Sequence, residues 1–336
     1  MRSYVGSLCV MGLTILGTAD ASAADNPFIG HWALTLPGGG AGWLGVTNDQ
    51  GFLDATILWG GGSVVPVDSV YLDGDALVVT RRREVERKDS AGKVIRKQVF
   101  TETITAQAAG DTLNLTRVVP SEKGAGVTRE TFTGKRIPPV PPAPDVSKLK
   151  FGKPVQLLSG NSLDGWELTD PEDTNGWKVH DGILANDPVQ QEGKPHNPYG
   201  NLRTKSEFGD FNLTLEVRVP KGGNSGVYLR GIYEVQVEDS YGEPVDAHNM
   251  GAIYSRIAPT VAAEKPAGEW QTLDMTLADR HVTVKLNGQV TIDNQPLLGC
   301  TGGALWSDEF RPGPIYLQGD HTAIEYRNIV LTPVIK

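Results

Sequence analysis

The sequence predicts an all-β protein made of two antiparallel units. Three observations carry that expectation. Apolar and polar residues alternate with a period of two in segment after segment. In 212–219, for example, Leu213, Leu215, Val217 and Val219 share one face while Asn212, Thr214, Glu216 and Arg218 share the other, as in a half-buried strand. Turn signals such as Asp73-Gly74-Asp75 and Asn287-Gly288 separate the segments. No helical period persists over more than a turn or two.

Residues 1–24 read as a secretory signal, with Arg2 at the start, an apolar core over 5–17 and the small-residue cleavage site Ala21-Ser22-Ala23. That core is too short to span a bilayer, and no later run is long enough to do so. Cys9 lacks the small residue that a lipoprotein signal needs before its cysteine, so a soluble periplasmic or secreted protein is expected. The formal net charge is −9. An acidic balance excludes nucleic acid and anionic lipid as partners, because both demand basic patches. Beyond the signal only Cys300 remains, so no internal disulfide can form and the fold must rest on its cores.

The first unit, 25–136, carries strand patterns at 31–36, 43–48, 52–59, 64–72, 76–83, 93–106, 112–119 and 128–136, which is the pattern of an antiparallel barrel or sandwich. Arg81-Arg82-Arg83 interleaves with Glu84, Glu86 and Asp89 and reads as an exposed hairpin of mixed charge. A linker follows at 137–146, whose IPPVPPAPD run favours an extended, semi-rigid spacer. The second unit, 147–336, shows strand patterns around Trp166 and Trp177 and at 208–219, 227–237, 251–257, 270–277, 281–286, 314–318 and 324–333. Asn287-Gly288 supplies the dipeptide that a type I′ hairpin demands. About a dozen strands suit a two-sheet jelly roll with one concave sheet.

Gly30-His31-Trp32 resembles the G-x-W opening of lipocalin-like barrels, in which the Trp closes the barrel base. The second unit carries a longer series. It includes Leu163-Asp164-Gly165-Trp166, Asn201-Leu202-Arg203-Thr204, Phe208-Gly209-Asp210-Phe211 and Asn224-Ser225-Gly226-Val227-Tyr228-Leu229-Arg230. Tyr233-Glu234-Val235-Gln236, Gly251-Ala252-Ile253-Tyr254, Gly313-Pro314-Ile315-Tyr316-Leu317-Gln318, His321 and Tyr326-Arg327-Asn328-Ile329 complete it. In this order, over about 150–334, the motifs resemble the 3-keto-disaccharide hydrolase domain family, which has a concanavalin-like jelly-roll fold. The resemblance covers none of the first unit. Family loops commonly read Gln-Asp-His where this chain has the longer Gln318-Gly319-Asp320-His321. The resemblance implies an exported enzyme acting on glycosides oxidised at C3, in some cases by elimination followed by hydration.

A ketone at C3 acidifies the C2 proton, so a base can remove it and expel the C1 substituent before water adds back. Glu234 is expected as the main acid/base group and His321 as the second. Arg230 and Asn224 are expected as donors to the developing enolate oxygen, with Tyr228, Gln236, Asp239, Tyr254 and Gln318 holding the sugar. Glu234, Gln236 and Asp239 also resemble the Glu-x-Asp-x-x-Glu strand of laminarinase-type glycosidases, provided that a bulge near Glu238 turns Asp239 onto the same face. His196, His248 and His321, with Asp239 or Asp246, show no metal-ligand spacing. The one cofactor left open is Ca²⁺ or another divalent cation, by analogy with other jelly rolls. Two rival functions also stay open: a non-catalytic carbohydrate-binding module, and a laminarinase-type hydrolase of unmodified glucan.

Overall fold

A computed structural model describes residues 26–190 and 195–335. The expected secretory signal lies outside the described residues. The first nine strands are β1 (Gly30–Thr35), β2 (Ala41–Asp49), β3 (Phe52–Trp59), β4 (Val65–Pro66), β5 (Ser69–Asp73), β6 (Ala76–Lys88), β7 (Val94–Ala109), β8 (Thr112–Pro120) and β9 (Val127–Ile137). They form a meander in which β9 returns to pair with β1, giving the order β4-β3-β2-β1-β9-β8-β7-β6-β5. The two edge strands are consecutive in the chain. Between them, the Val67 N–H donates to the Ala55 carbonyl in β3 and the Asp68 N–H donates to the Thr80 carbonyl in β6. This short segment stitches the two edges together and closes the sheet into a barrel. Phe28, Trp32, Leu34, Leu44, Ile57, Leu77, Ile104 and Phe132 fill its interior. Trp32 is fully buried, its indole donates to the Phe28 carbonyl at 2.8 Å, and the Arg136 guanidinium covers its ring at 4.1 Å.

The second unit is a two-sheet sandwich. Its strands are β10 (Lys150–Phe151), β11 (Val155–Gln156), β12 (Trp166–Leu168), β13 (Trp177–His180), β14 (Ile183–Asn186), β15 (Leu202–Thr204), β16 (Phe211–Arg218), β17 (Asn224–Leu229), β18 (Tyr233–Glu238), β19 (Trp270–Ala278), β20 (His281–Leu286), β21 (Gln289–Pro296), β22 (Tyr316–Leu317) and β23 (Ile324–Ile335). The large sheet runs β13-β14-β23-β16-β19-β20-β21, with β10 and β11 also on β23, and the small sheet runs β12-β15-β22-β17-β18. The period of two in β16 is seen as strict alternation: Leu213, Leu215 and Val217 are buried, while Asn212, Thr214 and Glu216 are half-buried on the other side. They pack with Val227, Leu229, Tyr233, Val235 and Val237 of the small sheet. The paired charges of the large sheet's outer face, Glu216 with Arg327 at 2.8 Å and Arg218 with Glu325, form a solvated ladder away from the small sheet.

The proline run is extended, yet it is not a free spacer. The Pro138 carbonyl accepts from Arg280 Nη1 at 2.9 Å and the Pro144 carbonyl accepts from Asn294 Nδ2 at 2.8 Å, which tie it to the sandwich. Ala41, Trp43, Leu58 and Ile137 of the barrel also join the hydrophobic cluster of the sandwich. Trp43 stacks on His31 and lies under the Arg256 guanidinium at 4.5 Å. Cys300 is buried in the same cluster, and burial pushes its thiol up to about 12, which makes it an inert packing residue.

Candidate functional site

The site lies on the outer face of the small sheet. Strands β17 and β18 pair in unbroken antiparallel register from Asn224 opposite Glu238 to Leu229 opposite Tyr233. Alternate residues therefore point outward: Asn224, Gly226 and Tyr228 from β17, Glu234 and Gln236 from β18, and Tyr316 with the following Gln318 at β22. Asn224, Tyr228, Glu234, Gln236, Tyr254, Gln318 and His321 line one cavity of about 310 Å³, joined by Gly302, Gly303 and two barrel glycines, Gly61 and Gly62. Seven of the nine residues that the sequence nominated thus meet in one hollow.

Glu234 is its chemical centre. The residue is 4 % exposed. Its N–H donates to Thr301 Oγ1 at 2.9 Å and its carbonyl accepts from the Tyr254 N–H at 3.0 Å, so the backbone is held on both sides. Burial pushes the Glu234 carboxyl up to about 8, against a smaller opposing effect of a hydrogen bond from Tyr228. Gly226 makes room for this carboxyl: a Cβ built there would stand 2.3 Å from Glu234 Oε1. Gly226→Ala is accordingly expected to displace the carboxyl and cut turnover by about 10- to 100-fold, since small misplacements of a reacting group are costly. Wild-type turnover in a folded Gly226→Ala protein, checked by circular dichroism, would contradict this geometry.

Most of the surrounding groups are amides and phenols; Glu238, the next outward residue of β18, lies 3.5 Å from Gln236 Nε2, and burial pushes its carboxyl up. Tyr228 donates to the Gly302 carbonyl at 2.8 Å and stacks on Tyr316, with ring centroids 4.1 Å apart. Gly303, at φ +75°, leaves space for that hydroxyl, which would lie 2.7 Å from a Cβ. Gln318 lines the hollow, and its Oε1 is buried without a hydrogen-bond partner, the kind of polar atom that a ligand hydroxyl satisfies. Gln236 Oε1 accepts from the Val237 N–H at 3.0 Å, which fixes the amide. Asn224 is anchored through its backbone to Thr322 Oγ1 at 2.8 Å. His321 stands exposed at the mouth, with Nδ1 2.8 Å from the Asp320 carbonyl. The additional residue Gly319 is pinned from both sides, by Asn201 Oδ1 on its N–H and by Asn186 Nδ2 on its carbonyl.

Two nominated residues lie elsewhere. Arg230 follows the end of β17 and takes φ +54° in the hairpin turn, so the strand alternation does not extend to it. Its guanidinium donates to the Glu309 carbonyl and covers the Tyr233 ring, which belongs to the opposite face of β18. It is not a donor to an enolate in this hollow. Asp239 was expected to turn inward at a bulge, but β17 and β18 pair without a register shift and the strand stops at Glu238. The Asp239 carboxylate instead accepts from the Gly222 N–H at 2.9 Å and caps the preceding turn.

Sequence reasoning did not single out Tyr316, the Thr301-Gly302-Gly303 turn or the barrel glycines. Tyr316 stood in a quoted motif, and its position two before Gln318 on a strand was the available signal. Among the described residues no group of three His, Cys, Asp or Glu side chains is arranged to hold a metal ion.

Residues 153–332 match the 3-keto-alpha-glucoside-1,2-lyase-like domain. No curated protein is similar enough to the chain to count as a relative. Solved structures similar to the chain include a provisionally named glycosyl hydrolase of Parabacteroides distasonis, 28 % identical, covering 60 % of this chain and 94 % of that one with a TM-score of 0.44. A second from the same organism is 25 % identical over 55 % of this chain and 100 % of that one, with a TM-score of 0.41. LamAcat from Zobellia galactanivorans is 10 % identical over 55 % and 97 %, with a TM-score of 0.34.

Proposed function

The chain belongs to the 3-keto-alpha-glucoside-1,2-lyase-like domain family, and from that premise we propose that the hollow cleaves 3-keto-glycosides by C2 deprotonation and C1–O cleavage, followed by addition of water. The observation that carries this reading is the buried carboxyl of Glu234, raised to about 8 amid amide and phenol groups. A carboxylate with so raised a pKa is a stronger base than an ordinary glutamate, which suits abstraction of a proton next to a ketone. Glu234 takes the C2 proton, and the electron pair moves toward O3, where the Gln318, Asn224 and Gln236 amides are the available donors. The pair then returns to expel the C1 oxygen, which leaves a C1–C2 double bond conjugated to the ketone. His321, at the open mouth, protonates the departing oxygen. Water then adds across the double bond, its hydroxyl going to C1 and its proton to His321, while Glu234 returns its proton to C2, to give the free 3-keto-sugar and restore both groups.

The retaining-glycosidase alternative needs a second carboxylate about 5 Å from the first. Asp239, its candidate, is tied to the Gly222 turn. Glu238, the next outward residue of β18, is a second carboxylate on the same face, 3.5 Å from Gln236 Nε2, so the choice between the two chemistries is made by the substrate. In the same proposal the reaction lies outside the cytoplasm, a reading supported by the leader-like pattern of residues 1–24.

The test offers the purified protein a 3-keto-disaccharide, its unoxidised parent and a β-glucan, and follows released monosaccharide. Release from the oxidised sugar alone is expected. Release from plain glucan would remove the proposal, and binding without release would leave a carbohydrate-binding module. Because the base must be ionised, kcat/KM is expected to rise with pH up to a plateau above about 8. A rate that falls over the same interval would cast Glu234 as an acid.

A further inference from the structure

We propose that the barrel strap 60–64 is the end wall of this hollow, so that the site accepts only a terminal 3-keto-hexosyl ring and directs the leaving group out on the His321 side. The inference rests on the reading of the hollow as a 3-keto-glycoside site. The strap leaves β3 and lies across the Thr301-Gly302-Gly303 turn and the 248–255 loop, both of which contribute lining residues. The Gly60 carbonyl accepts from the Gly303 N–H at 3.2 Å. The approach at Gly302 is close enough that a Cβ there would stand 2.1 Å from the Gly62 oxygen. Beyond the glycines, Ser63 Oγ lies 2.9 Å from His248 Nε2, and the Val64 N–H donates to Ser255 Oγ at 2.7 Å. His248 in turn meets the ring of Tyr254 edge-on at 5.0 Å.

These contacts set the orientation of the hollow. The turn under the strap accepts the Tyr228 hydroxyl at Gly302, so the strap stands at the Tyr228 end. His321 is exposed and precedes Thr322, whose Oγ1 accepts from the Asn224 N–H at 2.8 Å, four residues along β17 from Tyr228, so it stands toward the other end. A ring seated over Glu234 therefore has its leaving group toward His321 and its far side against Gly61 and Gly62. Having no side chains, these glycines present only peptide groups, a flat polar surface that suits ring hydroxyls and leaves no passage for a further sugar. Ser63, His248 and Asp246 are connected in the manner of a nucleophilic triad, with Asp246 Oδ1 2.6 Å from His248 Nδ1. However, the His248 and Asp246 side chains are 45 % and 62 % exposed, so water screens the pair and the series acts as a latch on the strap.

Gly61 provides the test. No atom lies within 4 Å of a Cβ built there and its φ is not positive, so a side chain can be added without backbone strain. Binding is measured calorimetrically in a Glu234→Gln background, so that 3-keto-glucose and a 3-keto-disaccharide oxidised on its terminal ring both survive the titration. Gly61→Trp is expected to keep the parent melting temperature and to weaken both sugars equally, by about tenfold or more. Gly61→Leu is expected to do the same more weakly. A disaccharide carrying a further sugar on O4 of its oxidised ring is expected to bind neither parent nor variant. Unchanged affinities in Gly61→Trp, a loss confined to the disaccharide, or tight binding of the O4-extended sugar would each overturn the end wall. Failure of the parent to bind any of the oxidised sugars would instead sink the functional reading, and the wall with it.

Discussion

Glu234→Gln is expected to lose turnover of a 3-keto-disaccharide by about 10²-fold or more, and to gain stability at the same time. The two effects have one cause. The folded protein holds this carboxyl near 8, well above the ordinary value of 4.5, because burial penalises the charged form. A raised carboxyl pKa means that the folded state binds the proton more tightly than the unfolded chain does. Its contribution to stability is therefore complete below pH 4.5 and is lost progressively as the pH rises through about 8. At pH 7 the loss is at most about 3 kcal/mol, taking roughly 1.4 kcal/mol per pKa unit. Glutamine copies the protonated shape without the titration. The variant should thus melt higher than wild type near pH 8 and equal to it near pH 4. Equal melting at both pH values would show that Glu234 ionises freely, and retained turnover would remove it as the base.

The second large effect is one of stability. Glu309 is completely buried and gathers three partners: the Arg280 guanidinium at 3.1 Å, the Tyr233 hydroxyl at 2.6 Å and the Gly299 N–H at 3.0 Å. Arg280 is itself buried and also holds the Pro138 carbonyl. Glu309→Gln keeps the shape but leaves a guanidinium without its counter-charge, and breaking a buried pair in this way costs about 3–5 kcal/mol. A melting temperature lower by about 6–10 °C is expected. The double variant Arg280→Met/Glu309→Leu should recover part of that loss, because neither buried charge remains. A single variant that melts like wild type would show that the pair is solvated. Activity should suffer too, since Gly299 begins the turn that carries Thr301, Gly302 and Gly303 into the hollow.

Much of the hollow could be read from a period of two. On β18, Tyr233, Val235 and Val237 enter the core while Glu234 and Gln236 face out, and the sequence alternates in the same way. The same rule failed where the strand ended. Arg230 looks like the next outward residue after Tyr228, but a residue at φ +54° in a hairpin turn does not continue the alternation. Asp239 failed because nothing in the local sequence distinguishes a strand that bulges from one that stops. Gly226 stood in a quoted motif without a role of its own, whereas its role is to be empty opposite a carboxyl eight residues away. The contact between Ser63 and His248 joins positions 185 residues apart, and no local pattern encodes such a meeting.

The barrel residues that enter the sandwich cluster restrict how this architecture can be rearranged. Deleting everything before residue 150 would retain the matched segment but withdraw Trp43, Leu58 and Ile137 from their places, baring apolar surface beside Cys300 and Gly299. Such a fragment would be prone to self-association. Shuffling the jelly roll onto another partner would demand a replacement plug of matching shape, so the two halves are best regarded as one heritable unit.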